Sequence, residues 1–143
     1  MNFKNFSFDL PTKIFYGLNS LKEIDKYINN RKTLLITSNS FVERGLVDSI
    51  NSYTKNIVQV ISNVRSHPQF TDIEKIYSQA YQKNFDLILA VGGGSVMDTA
   101  KFISVSNEAQ EYKFVENLTK GKIPKKKLQI YTIYSSTHDC WNW

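Results

Sequence analysis

One stretch limits what this chain can fold into more than any other: Leu87-Ile88-Leu89-Ala90-Val91-Gly92-Gly93-Gly94-Ser95-Val96-Met97-Asp98-Thr99-Ala100-Lys101. An apolar run without polar alternation suits a strand buried on both faces, as in a parallel sheet. Gly92, Gly93 and Gly94 then keep side chains away from the backbone, so that a bulky anion can approach its N–H groups. Ser95 reads as the N-cap of a following helix whose positive dipole end points to the same place. Strand, glycine loop and helix start together predict a phosphate cradle. The pattern is not the common dinucleotide fingerprint, because Met97 stands where the third glycine belongs, and no Gly-Lys-Ser/Thr follows to make a P-loop. The other reading of the stretch is a tight strand-to-helix turn with no ligand.

Around this centre, apolar runs alternate with helical patterns. Residues 6–10 and 12–16 are aromatic and β-branched runs split by Pro11, readable as a hairpin or edge strands. Residues 18–28 carry an apolar helix face that Asn29-Asn30 ends. Residues 32–37 read as a buried strand, and Ser38, Asn39 or Ser40 as the start of one helix carrying Phe41, Val42, Leu46, Val47 and Ile50. A strand over 55–61 and a loop over 63–69 follow. Thr71 and Glu74 have capping-box spacing for a helix reaching about Lys83. Beyond the glycine helix come a helix near 108–117 and a strand over 128–133. Strands alternating with helices predict an α/β domain: a Rossmann-like parallel sheet with helices on both faces, occupying residues 1–133. Ligands in such sheets sit beyond the carboxyl ends of the strands, where the glycine loop lies.

The segment AVGGGSVMDTAK closely resembles the Gly-Gly-Gly-Ser-x-x-Asp-x-x-Lys segment of the iron-containing alcohol dehydrogenase family, which includes the glycerol dehydrogenases. The opening FDLPTKIFYGLNSLKEI is similar to that family's first strands and helix, and the likeness extends from about Phe6 to Ile133. It implies an NAD or NADP site built on Gly92, Gly93, Gly94 and Ser95. It also matches Asp98 and Lys101 to the family's Asp and Lys near the cofactor, with Asp98 expected to brace the loop or meet a ribose. From spacing alone, Asp98 and Lys101 are as readily a helix-stabilising ion pair. Ser38 and Asn39 fall where the family holds the adenosine ribose, often through an aspartate. Ser38 lacks that charge, which leaves NADP open beside NAD, and both residues also read as simple helix caps.

The family's iron or zinc is held by an aspartate and histidines of a C-terminal helical domain, and this chain is expected to lack both domain and ligands. His67 lies in a loop the family places near the cofactor, though a lone loop histidine is more often simply exposed. His138 and Asp139 share no helical register with it and make a poor metal site. The resemblance thus implies a truncated dehydrogenase whose parent reaction is hydride transfer between NAD(P)H and a small alcohol or aldehyde, with this chain inactive alone. Glycerol-1-phosphate dehydrogenase-like and dehydroquinate synthase-like relatives share the likeness. A non-catalytic nucleotide-binding or interaction module is the alternative.

Residues 134–143 depart from the family, which continues Pro-Thr-Thr-Ala-Gly-Thr-Gly at this place. Shifting the frame of Thr137–Trp143 by one nucleotide can regenerate that motif, both glycines being forced by the single tryptophan codon. The tail is therefore expected to be a reading-frame artefact. The formal charge of +5 rests largely on Lys120, Lys122, Lys125, Lys126 and Lys127. No aromatic residues interleave these lysines, so a solvated loop is expected rather than nucleic-acid binding. Cys140, the single cysteine, allows no internal disulfide and points to a reducing compartment. With no apolar segment of membrane-spanning length and no signal-peptide pattern, a cytoplasmic protein is expected. Apolar surface left by an absent half predicts self-association.

Overall fold

Leu87–Gly92, the run that opens the glycine stretch, is a strand in which every residue is buried. A computed structural model describes residues 20–105, 120 and 129–134. Within them a 3-10 turn Ser20–Glu23 leads into α1 (Ile24–Ile28), β1 (Thr33–Ile36), α2 (Asn39–Glu43) and α3 (Leu46–Tyr53). β2 (Ile57–Ile61), α4 (Phe70–Ala80), β3 (Leu87–Gly92), α5 (Gly94–Val105) and β4 (Gln129–Tyr134) complete the order. The four strands form one sheet in the order β2-β1-β3-β4, and each neighbouring pair is parallel. The α/β architecture expected from the alternation is the one observed.

Strand side chains alternate between two apolar clusters, one on each face. Leu34, Ile36, Ile88 and Ala90 pack with Ile76 and Ala80 of α4 and Val96, Ala100 and Ile103 of α5. Leu35, Leu87, Leu89 and Val91 pack with Ile24 and Ile28 of α1, Phe41 of α2 and Leu46 and Ile50 of α3. Helices thus cover both faces, which explains why β1 and β3 show no polar alternation.

Local departures have local causes. The helix expected across residues 39–50 is two helices, because Gly45 takes φ +80° between them, a left-handed conformation open to glycine. Helix α4 starts at Phe70, so the cap is Gln69, whose N–H donates to the Asp72 carboxylate at 3.2 Å. The expected Thr71–Glu74 box is therefore displaced by two residues, to Gln69 and Asp72. Asn29 and Asn30, at φ 49° and 58°, end α1 as expected. β4 runs to Tyr134, paired with Gly92. The expected hairpin over 6–16, the helix near 108–117 and the tail after Tyr134 lie outside the described residues, as does most of the lysine cluster. Among the described residues no helix is long and apolar enough to cross a membrane.

Candidate functional site

The sheet order creates the site. From β1 the chain crosses to β2 on one side; from β3 it crosses to β4 on the other. The direction of winding reverses between β1 and β3, and their carboxyl ends flank a crevice of the kind where ligands bind in open α/β sheets. Thr37 and Ser38 leave β1 at this crevice; Gly92 and Gly93 leave β3 there.

The three glycines do different things. Gly92 ends β3 at φ +157°, and a Cβ built on it would sit 2.7 Å from Cγ2 and 3.0 Å from Cβ of Val96. Its lack of a side chain lets α5 pack tightly on β3. Gly93 and Gly94 have nothing within 4 Å of an added Cβ, so the loop faces open space. The positive φ within this loop falls at Gly92 and not at Gly93. The carbonyl of Gly93 accepts from the N–H groups of Val96 and Met97, at 3.1 and 3.2 Å. Helix α5 therefore starts at Gly94, and the amides of Gly94 and Ser95 have no acceptor within the helix.

Ser95 is not the N-cap. It is the second residue of α5, and its Oγ accepts a hydrogen bond from the His67 backbone N–H at 3.3 Å. The third glycine is already helical, so the cap moves back to Gly93 and the hydroxyl is left for a tertiary contact. That contact ties the loop after β2 to the start of α5. His67 itself is exposed and holds φ +53°, a conformation costly for a side-chain-bearing residue.

Ser38 caps α2 with its backbone carbonyl, which accepts from Phe41 and Val42 at 3.0 and 3.3 Å, and not with its side chain. Its backbone forms a bridge with Asn63, so the ends of β1 and β2 also meet here. Asn39 opens α2 and is exposed. Asp98 and Lys101 pair with one another at 3.1 Å, with side chains 74% and 68% exposed. Asp98 therefore does not brace the glycine loop among the described residues. Sequence reasoning passed over Thr37, which is fully buried and whose hydroxyl donates to the Val91 carbonyl at 2.8 Å. Its only sequence signal is a polar residue ending an apolar strand.

Ser38, Gly92, Gly93, Gly94 and Ser95 thus gather at one end of the sheet, while Asp98 and Lys101 lie further along α5. The glycine loop is open rather than enclosed. A concavity of about 330 Å³ lies instead along β2 and α4, lined by Gln59, Ile61, Asn63, Gln79 and Gln82 among others. No group of three or more His, Cys, Asp or Glu able to hold a metal occurs among the described residues, so these residues do not fit an iron or zinc site.

A family profile described as iron-containing alcohol dehydrogenase matches residues 11–140. An alcohol dehydrogenase from Thermococcus barophilus is 33% identical over 140 residues, covering 91% of this chain and 37% of the relative. The solved NADH-dependent butanol dehydrogenase A of Thermotoga maritima is 28% identical with a TM-score of 0.77, covering 91% of this chain and 34% of that one. A sulfoacetaldehyde reductase from Bifidobacterium kashiwanohense, solved in complex with NAD+, shares the fold at 19% identity and a TM-score of 0.78, covering 90% of this chain and 35% of that one. The chain spans roughly a third of the length of these relatives.

Proposed function

The chain belongs to the iron-containing alcohol dehydrogenase family, and from that premise we propose that it supplies the dinucleotide-binding part of an NAD(P)-dependent alcohol dehydrogenase. The observation that carries this reading is the open glycine loop at the crevice between β1 and β3, where an added Cβ at Gly93 or Gly94 meets nothing. Such a surface admits a pyrophosphate against free amides at a helix start. Gly93 and Gly94 hold the phosphates through their N–H groups, and the Ser95 hydroxyl adds a donor. Ser38 and Asn39, at the end of β1, lie on the side assigned to the adenosine ribose. Asp98 and Lys101 form an outward pair on α5 and are given no contact with the phosphates.

When bound, the nicotinamide supplies a hydride to an aldehyde or takes one from an alcohol. The family's metal has no ligand set among the described residues, and no step is assigned through it. The 143-residue chain assayed alone is expected to bind dinucleotide without turning over alcohol.

The test is titration calorimetry with NADH and NADPH. A valine at Gly93 fills the space a phosphate would take without touching the core, so affinity should fall about tenfold or more, equivalent to about 1.4 kcal/mol. Unchanged affinity in a folded Gly93→Val variant refutes the cradle.

A further inference from the structure

A glycine loop has little of its own to hold an orientation, so something else must hold this one. Thr37 is placed to do so. It is fully buried, and it bonds both neighbours of β1. Its backbone N–H donates to the Ile61 carbonyl of β2 at 2.8 Å, and its hydroxyl donates to the Val91 carbonyl of β3 at 2.8 Å. Both bonds lie one residue beyond the last register pairs of β1, Ile36 with Ile61 and Ile36 with Ala90.

At this point the backbone of β1 no longer continues the ladder toward β3, because Ser38 turns away to cap α2 and to bridge Asn63. The side-chain hydroxyl of Thr37 supplies the cross-strand donor there. The Val91 carbonyl belongs to the peptide unit that enters Gly92, so fixing it fixes where the glycine loop begins. Without the tether, Gly92 keeps its pairing with Tyr134 of β4 and its packing on Val96 but the strand end loses its hold on the β1 side, and the glycine that follows has no side chain to restrain it.

We propose that Thr37 is a positioning residue of the dinucleotide site, holding the glycine loop through the Val91 carbonyl so that Gly93 and Gly94 face the phosphates. This rests on the reading of the loop as a pyrophosphate cradle. The physical effect is on population: a ligand sees an affinity reduced by the fraction of molecules whose loop is correctly oriented.

Two substitutions separate donor from shape. Thr37→Val keeps volume and removes the donor; Thr37→Ser keeps the donor and removes a methyl group. Titration of the 143-residue chain with NADH should give a dissociation constant raised about tenfold for Thr37→Val and by no more than about twofold for Thr37→Ser. Ile28→Val, a core change on α1 near the amino ends of the strands, lowers stability away from the loop and should leave affinity at the wild-type value. Wild-type affinity in Thr37→Val overturns the proposal. So does an equal loss in Thr37→Ser, which would assign the effect to packing. If the wild-type chain binds neither NADH nor NADPH, the cradle reading fails, and this proposal with it. Should Thr37→Val not fold, Thr37→Ala replaces it, with hydrogen exchange at the Gly93 and Gly94 amides as the readout. Faster exchange than in Thr37→Ser supports the tether, and equal exchange overturns it.

Discussion

Replacing Gly92 by alanine should destabilise the fold, whereas the same change at Gly94 should not. The added Cβ at Gly92 would lie 2.7 Å from Val96 Cγ2 and 3.0 Å from Val96 Cβ, against an ordinary carbon contact of about 3.5–4.0 Å. Val96 is only 3% exposed, and its own Cβ is part of the clash, so a rotamer change cannot relieve it. Overpacking of this kind costs about 1–3 kcal/mol. The backbone adds to this, because φ +157° is a conformation that costs a side-chain-bearing residue about 1–3 kcal/mol. The two effects share one relaxation, a retreat of α5 from β3, so a total of about 2–5 kcal/mol is expected. At Gly94, by contrast, the site is open and already helical, and alanine should stabilise by about 0.4–1 kcal/mol through the unfolded chain. Urea unfolding followed by circular dichroism measures both, with the midpoint moving and the slope constant. A Gly92→Ala variant within about 0.5 kcal/mol of wild type, or a Gly94→Ala variant as unstable as Gly92→Ala, refutes the division of labour among the glycines.

Other changes test the edges of the site. Ser38→Asp puts a carboxylate at the end of β1, where it opposes a 2′-phosphate and accepts from a ribose; the ratio of NADPH to NADH affinity should drop about tenfold, or about 1.4 kcal/mol, toward the lower end of the roughly 1–4 kcal/mol expected between like charges about 4 Å apart. Lys101→Ala should change unfolding stability by no more than about 0.5 kcal/mol, since the pair it forms with Asp98 is exposed and such pairs contribute little. Burial raises the Tyr77 phenol above its ordinary value. The folded state therefore holds that proton more tightly, and its contribution is intact below about pH 10 and lost as pH rises further. Comparing wild type with Tyr77→Phe from pH 9 to 11 should show the steeper decline in wild type.

Elements are legible in the sequence where burial and turn chemistry decide the outcome. The unbroken apolar runs of β1 and β3 announce strands covered on both faces, and Asn29-Asn30 and the loop before α4 announce themselves by residue type. The glycine loop could be placed at the carboxyl end of its strand for the same reason. Register and capping were less legible: Gly45 splits a helix whose apolar spacing runs straight through it, and the Gln69–Asp72 contact displaces a better-looking cap. The roles of Ser95 and Thr37 belong to tertiary structure alone. The hydroxyl of Ser95 meets a backbone 28 residues away, and that of Thr37 a carbonyl 54 residues away. Periodicity and capping rules describe neighbours along the chain. They cannot say which distant carbonyl or amide a sheet order of β2-β1-β3-β4 will bring within hydrogen-bonding distance, because that depends on strands whose adjacency is set only when both faces of the sheet are packed.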